Sequence, residues 1–149
     1  MVLLTAAVLP AAAQDRSGFF AGGLAETTLF SAESLSFGGG LAAGYDGGAT
    51  ALGIRAAAFA DPEGIMALEA CFFFRLYFPR LGNGGFFLQL NAGPSLYHRD
   101  GYDLWAAAVS AGLQAGWRFV FNRRFYLEPA LRMGYPYIAG AGLSAGYFF

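Results

Sequence analysis

The sequence predicts an all-β fold, an eight-stranded antiparallel up-and-down transmembrane β-barrel. The clearest observation is the end of the chain, 139–149, where apolar side chains at odd positions alternate with glycine or serine at the even positions up to Gly146. Such alternation indicates a strand with two different faces. The chain is 56% hydrophobic and only 13% charged, which is unusual for a soluble domain. Yet no apolar run reaches the ~20 residues that a transmembrane helix needs. A membrane barrel with an apolar outside and a polar inside satisfies all three observations.

The net charge and the cysteine content exclude several function classes. A net charge of −1 gives no sign of nucleic-acid binding. The one cysteine, Cys71, excludes an intramolecular disulfide and a cysteine-cluster metal site, and its simplest role is that of a small interior filler. The sequence contains no phosphate-binding loop, metal cluster or nucleophile motif. We therefore expect no cofactor, no bound metal and no nucleic-acid partner.

The segment 1–13 is apolar and ends in three alanines before Gln14. This pattern predicts a signal peptide with an Ala-x-Ala cleavage site at Ala11 and Ala13. A positively charged segment is missing from its beginning, which is consistent with a true start codon further upstream. The alternative is a buried N-terminal strand. Cleavage after Ala13 would leave one barrel domain, 14–149, with short loops.

Eight segments that alternate in hydrophobicity, or are rich in glycine, lie between turn signals. An even number of strands suits a closed up-and-down barrel. Helices are the alternative around the alanine-rich stretch 106–108, but the recurrent glycines disfavour them. The predicted strands are Ser17–Glu26, Ser36–Tyr45, Ala49–Phe59, Ile65–Tyr77, Phe86–Tyr97, Leu104–Phe119, Phe125–Tyr135 and Ala139–Phe149.

The first strand has an ambiguous facing, and we expect a loop after it at Thr27–Leu35. The second strand alternates clearly, with Phe37, Leu41 and Tyr45 on one face and glycines on the other. The third strand places Arg55 on the face opposite to its leucine and isoleucine. Tight turns rich in Gly, Asp and Pro follow these two strands. The turn sequences are Asp46-Gly47-Gly48 and Asp61-Pro62-Glu63-Gly64.

The fourth and fifth strands show the most regular alternation. In the fourth strand an unbroken apolar row faces outward, while Glu69, Cys71 and Arg75 lie on the opposite face. The fifth strand follows a connection at 79–85, and we expect a polar loop after it at His98–Asp103. The apolar row of the fourth strand is Met66, Leu68, Ala70, Phe72, Phe74 and Leu76.

The last three strands carry further inward charges and both tryptophans. Arg118 faces inward from the sixth strand, and Glu128 and Arg132 face inward from the seventh. Trp105 and Trp117 share the outward face. At roughly 3.3 Å per residue and a tilt near 40°, they are separated by about 30 Å along the membrane normal. We therefore expect them to mark the two bilayer interfaces.

Two prolines fall inside predicted strands. Pro94 in the fifth strand and Pro129 in the seventh each lack the N–H group that a closed sheet uses in pairing. We expect each proline to lie at a bulge or near the barrel rim.

The inward charges predict a paired network inside the barrel. An eight-stranded barrel has room for little more than side chains, and buried charges are costly unless they are paired. One interpretation is a salt-bridged structural plug, with Glu26 as a further candidate member. The other is a narrow polar conduit or ligand pocket with inward glycines, which could equally make room for the arginines. The expected network is Arg55, Glu69, Arg75, Arg118, Glu128 and Arg132.

Taken together, the chain resembles the small eight-stranded bacterial outer-membrane β-barrels, such as OmpX, OmpW and the transmembrane domain of OmpA. The resemblance is carried by the signal-like start, the eight alternating segments, the Phe-Tyr-Leu-Glu-Pro run at 125–129, and the end Tyr147-x-Phe149. It implies a diderm bacterium, contact with outer-membrane lipid, insertion by the barrel-assembly machinery and a monomeric state. It also implies that Tyr147 and Phe149 form a C-terminal assembly signal. The charged interior fits the plugged OmpA or OmpX type, whereas the short loops disfavour an adhesin.

The resemblance leaves three functional hypotheses. We expect an integral outer-membrane protein with a structural or surface-interaction role, and the alternative is a small pore or transporter for small solutes. The third hypothesis is a lipid-modifying enzyme, because some small outer-membrane barrels use His with Ser and an acidic partner. His98 lies near Ser95 and Asp100, but Ser95 is predicted inward on a strand and His98 in a loop. We therefore expect no enzymatic activity.

Overall fold

The computed structural model describes residues 17–29, 35–78, 84–101 and 105–149, and the predicted signal peptide lies outside these ranges. The described chain forms a closed antiparallel barrel, in which each strand pairs with its sequence neighbours and β1 pairs with β8. The predicted fold class is therefore confirmed. The strands are β1 (Ser17–Leu29), β2 (Leu35–Gly47), β3 (Thr50–Ala60), β4 (Ile65–Tyr77), β5 (Gly84–Arg99), β6 (Ala106–Phe121), β7 (Phe125–Tyr135) and β8 (Ala139–Phe148).

Several strand ends differ from the sequence prediction. The predicted loop Thr27–Leu35 was wrong at both ends, because β1 continues to Leu29 and β2 already begins at Leu35. The residues after Glu26 pair with both β2 and β8, and threonine is a good strand former. Similarly, His98 belongs to β5 rather than to a loop, since it pairs with Met66 of β4. Cross-strand pairing thus extends these strands beyond the residues that alternate between apolar and polar side chains.

The predicted facing of the strands is confirmed. Outward side chains are strongly exposed, with Phe72 at 74% and Leu41 at 71% of their maximum accessible area. The residues on the opposite face, such as Glu69 and Arg75, are buried. Because successive side chains in a strand point to opposite faces, a correct register fixes every position at once. The result is an apolar outer surface around a polar interior, which suits a lipid environment.

Pro94 and Pro129 do not mark bulges, which was one of the two expected placements. The pairing of β4 with β5 keeps one register on either side of Pro94, from Glu69↔Ser95 to Phe72↔Ala92, and skips two residue pairs between them. Pairing of β6 with β7 likewise skips two pairs beside Pro129. Both prolines face outward. Each proline therefore interrupts the backbone pairing with one neighbouring strand over two residue pairs, and the side-chain alternation is unchanged.

The barrel has two distinguishable ends. At one end β1 begins, β8 ends, and the hairpins β2–β3 and β6–β7 turn; we call it the Phe149 end. At the other, the Asp61 end, β3 turns into β4 and β7 turns into β8. Asp61 organises its turn by accepting hydrogen bonds at Oδ1 from the backbone N–H groups of Glu63 (2.9 Å) and Ile65 (2.8 Å). In the described part of the chain, no helix is long and apolar enough to cross a membrane.

Candidate functional site: the charged interior of the barrel

The interior contains equal numbers of buried cations and carboxylates. Within the described residues, four arginines and four acidic side chains face the lumen, each at most 8% exposed. The six residues of the predicted network are all among them, as is Glu26, whose facing was ambiguous. Asp46, predicted only as a turn residue, is the eighth member. The arginines are Arg55, Arg75, Arg118 and Arg132, and the acidic residues are Glu26, Asp46, Glu69 and Glu128.

Four of these residues form a ring of alternating charge, which we call the upper ring. Arg55 contacts Glu26 (Nη2–Oε2, 2.6 Å) and Glu69 (Nε–Oε1, 3.5 Å). Arg132 contacts the same two carboxylates, Glu26 at 2.8 Å and Glu69 at 3.0 Å. Each charge thus has two opposite neighbours, as a buried ion pair needs to offset its desolvation. The ring joins strands β1, β3, β4 and β7 across the lumen.

The other four charges form a chain nearer the Phe149 end, which we call the lower chain. Asp46 accepts from Arg118 Nη1 at 2.8 Å, and Arg118 Nε donates to Glu128 Oε1. Glu128 also receives two parallel bonds from Arg75, at 2.6 and 3.1 Å. This bidentate geometry is the strongest arrangement for an arginine–carboxylate pair. The lower chain connects β2, β4, β6 and β7.

Two glutamines connect the upper ring to the lower chain. Arg75 Nε donates to Gln89 Oε1 at 2.8 Å, and Gln89 Nε2 donates to Gln114 Oε1 at 3.1 Å. Gln114 Oε1 also accepts from Arg55 Nη1 at 3.4 Å. Gln89 further donates to Asn91 at 2.7 Å. One continuous polar network therefore runs through the lumen.

Aromatic rings cover the lower chain toward the Phe149 end. Phe20, Phe73 and Tyr126 form a buried cluster with Phe148 packed against it. The Arg118 guanidinium carbon lies 4.7 Å from the Phe20 ring centre and 4.8 Å from that of Tyr126. These are cation–π distances, and such contacts strengthen when water is excluded.

Tyr137 covers the upper ring toward the Asp61 end. It lies in the connection between β7 and β8, yet it is only 1% exposed. Its hydroxyl shares a 2.8 Å hydrogen bond with Ser110, and Ser110 donates to Glu69 at 3.2 Å. Its ring centre lies 3.7 Å from the Arg132 guanidinium carbon. The network thus has aromatic side chains at both of its ends.

The inward glycines make room for aromatic rings. A methyl group added at Gly53 would overlap the ring of Phe73, and one at Gly38 would overlap the ring of Phe59. A methyl group at Gly22 would overlap the hydroxyl of Tyr126. These glycines therefore accommodate bulky neighbours and do not line an open path, and two of the three make room for uncharged phenyl rings.

The outward tryptophans lie toward opposite ends of the barrel. Trp105 precedes β6 near the Asp61 end, and its ring stacks on His98 with 5.1 Å between ring centres. Trp117 lies in β6 four residues before the hairpin to β7, and its ring packs near Phe119. Their role as interface markers remains a prediction.

The predicted C-terminal signal lies on the outer surface at the Phe149 end. The Tyr147 ring is 5.4 Å from that of Phe149, and the Phe149 N–H donates to the Phe19 carbonyl at 2.9 Å. The last residue thus extends the pairing with β1. Recognition of these two residues by an assembly machinery also remains a prediction.

The candidate histidine and serine do not form a catalytic arrangement. Ser95 faces the lumen and donates to the Ala108 carbonyl at 3.2 Å. His98, three residues later in the same strand, lies on the opposite face against Trp105. Cys71 is buried and forms no disulfide. Among the described residues, no group of three or more His, Cys, Asp or Glu side chains is placed to hold a metal ion.

The sequence prediction does not identify three residues that take part in the interior network. Asp46 continues the inward even-numbered positions of β2, so extending the parity by two residues would have identified it. Gln114 lies at an inward position of β6, but only the three-dimensional structure brings it to Gln89 and shows that it is a bridge. Tyr137 carries no periodic signal, because it lies between strands.

No protein-family model matches the chain, and no curated protein sequence is significantly similar to it. Several solved structures do match. The N-terminal barrel domain of Pseudomonas aeruginosa OprF is 15% identical, with a TM-score of 0.65 over 90% of this chain and 100% of that one. Neisserial surface protein A is 13% identical, with a TM-score of 0.63 over 89% and 95%. Ail, the attachment invasion locus protein of Yersinia pestis, is 13% identical, with a TM-score of 0.50 over 89% and 97%.

These structures are small eight-stranded outer-membrane β-barrels, and this chain shares their fold. At 13–15% identity the likeness concerns the fold alone.

Proposed function

We propose that the chain is an integral protein of a bacterial outer membrane, with a closed interior and a structural or surface-interaction role. The observation that carries this proposal is the interior itself, where a charge-balanced network fills the lumen between two aromatic layers. The fold shared with OprF, surface protein A and Ail supports the location. Partners under this proposal are outer-membrane lipid and, during insertion, the barrel-assembly machinery, and the barrel acts as a monomer.

The energetics of the interior favour a plug over a conduit. Removing one partner of a buried ion pair typically costs 3–5 kcal/mol, because the remaining charge is left uncompensated. In the upper ring each arginine touches two carboxylates, so a passage past it would break two contacts together. The lumen therefore stays closed unless a force on the barrel supplies the free energy needed to break these contacts.

The facing of His98 argues against an enzyme. A general base must reach the nucleophile it activates, at about 2.6–3.2 Å or through one water. The wall of the barrel separates His98 from Ser95. We therefore propose a protein without catalytic activity.

Single-channel conductance tests the plug. Protein refolded into a planar bilayer should be silent, and Arg55→Ala should begin to leak, because that change removes one corner of the upper ring. Arg99→Ala is the matched control, since Arg99 is exposed at the Asp61 end and should leave the barrel silent. A β-type far-UV spectrum and faster gel migration without boiling confirm that each variant is folded. Steady wild-type conductance would overturn the plug and favour a small-solute pore.

A further inference from the structure

The hairpin between β6 and β7 places an arginine where the backbone favours glycine. Asn122 and Arg123 both adopt left-handed conformations, with φ of 46° and 61°, and Arg124 N–H donates to the Phe121 carbonyl at 3.0 Å. This is a type I′ turn, whose second central position usually holds glycine. A long side chain at that position is strained. The strained position therefore places the long side chain of Arg123 on an exposed hairpin.

The next residue, Arg124, places a second cation beside a group of aromatic rings. Arg124 is exposed, and its Nη1 donates to the Tyr147 hydroxyl at 3.1 Å. The Tyr147 ring packs edge-on against Phe125 and Phe149, with ring centres 5.2 and 5.4 Å away. All three rings face outward at the Phe149 end. Two adjacent cations therefore lie at the rim, beside a continuous apolar platform.

The Asp61 end has the opposite character. Its described turn residues include Asp61, Glu63 and Asp100, with Arg99 as the neighbouring cation. The two ends of the barrel thus present different charges to the two surfaces of a membrane. Among the described residues, only the Phe149 end combines two adjacent exposed arginines with outward aromatic rings.

We propose that Arg123 and Arg124 bind the phosphate of an anionic phospholipid, whose glycerol and upper acyl region rest on Phe125, Tyr147 and Phe149. Guanidinium groups match phosphate oxygens through paired N–H donors. Aromatic side chains favour the headgroup level of a bilayer, and basic residues there attract anionic lipid. The proposal rests on the membrane location proposed above and names a lipid class for it.

Native mass spectrometry of the full refolded barrel in neutral detergent tests this site. Short-chain phosphatidylglycerol should bind in preference to phosphatidylcholine of the same chain length. Arg123→Gln with Arg124→Gln should weaken phosphatidylglycerol binding by about tenfold or more, because each basic residue near a membrane surface contributes to attraction of anionic lipid. Arg99→Gln, which removes an exposed arginine at the other end, should leave it unchanged.

Arg123→Gly separates binding from folding, because it relieves the strained turn and should still weaken phosphatidylglycerol binding. Equal binding by the wild type and the double variant would overturn the proposal, as would an equal loss in Arg99→Gln. Competition by millimolar inorganic phosphate as effective as that by the lipid would also overturn it, since the rings would then contribute nothing. Gel migration of the unboiled samples distinguishes failure of the lipid site from failure of the proposed membrane function. A folded barrel without lipid preference refutes only this site, whereas failure to form a barrel refutes the membrane function.

Discussion

The Arg132 guanidinium lies directly against the ring of Tyr137, with its central carbon 3.7 Å from the ring centre. Arg132 belongs to strand β7, whereas Tyr137 belongs to the short connection that follows it. The connection therefore returns an aromatic ring into the barrel, over the charge that its own strand contributes. Because the Tyr137 hydroxyl also reaches Ser110 at 2.8 Å, the ring is fixed at two points. Tyr137 therefore covers Arg132 on the side that faces the Asp61 end.

Replacing Tyr137 should separate the contributions of its ring and its hydroxyl. We expect Tyr137→Ala to lower the free energy of unfolding by about 3 kcal/mol, since it removes a buried ring and its contact with Arg132. Tyr137→Phe keeps the ring and should cost about 1 kcal/mol for the lost hydrogen bond. Urea titration of the refolded protein, followed by gel migration, measures both. Equal losses in the two variants would show that the hydroxyl, and not the ring, holds the connection in place.

The Asp46–Arg118 pair should be energetically coupled. We expect Asp46→Asn and Arg118→Gln each to lower the free energy of unfolding by about 3 kcal/mol, because each removes one charge from the buried lower chain and leaves the remaining charges unbalanced. The double variant should lose at least ~1 kcal/mol less than the sum of the single variants. The matched control combines Asp46→Asn with Arg99→Gln, which lies at the other end and should be additive within about 0.5 kcal/mol. An additive Asp46–Arg118 cycle would mean that their 2.8 Å contact contributes nothing to stability.

Much of this architecture could be predicted because the two faces of each barrel strand have opposite character. One face is apolar and exposed and the other lines a polar interior, so a period of two residues identifies the side of each residue. This period alone predicts that Arg55, Glu69 and Arg132 face the lumen. The structure also shows which carboxylate each arginine contacts. That pairing depends on the position of each residue along the barrel axis and on the tilt of the strands, which the sequence of one strand does not determine.

The parts that could not be predicted lie where the alternation ends. The sequence predicts Asp46 as a turn residue because Asp-Gly-Gly is a strong turn signal, although its position in β2 points inward. The polar residues around His98 predict a loop, whereas pairing with Met66 keeps His98 in β5. Tyr137 is placed by the path of a connection, for which hydrophobic periodicity carries no information.

Arg123→Gly should stabilise the barrel. The left-handed conformation at Arg123, with φ of 61°, costs an L-residue roughly 1–2 kcal/mol. Glycine avoids this strain but adds freedom to the unfolded chain, which offsets part of the gain. We expect a net increase of about 0.5 kcal/mol in the free energy of unfolding. Arg124→Gly, at the next position, serves as the comparison and should lower stability, because there glycine replaces a residue whose φ is not positive. A decrease in both variants would show that the Arg123 side chain itself stabilises the turn.

Phe149→Ala should impair assembly in cells while hardly affecting the folded barrel. The Phe149 side chain is 80% exposed, and its backbone N–H keeps its bond to Phe19 after the substitution. Refolded protein should therefore change in stability by about 0.5 kcal/mol or less. In a diderm host, by contrast, we expect less folded barrel in the outer-membrane fraction, because the assembly machinery would meet an altered signal. Phe19→Ala is the matched control, since Phe19 is another outward phenylalanine at the same end, 67% exposed and outside the proposed signal. Quantitative blotting of unboiled membrane samples compares the two variants. An equal reduction in both would assign the effect to loss of an outward aromatic ring and would remove Phe149 from the proposed signal.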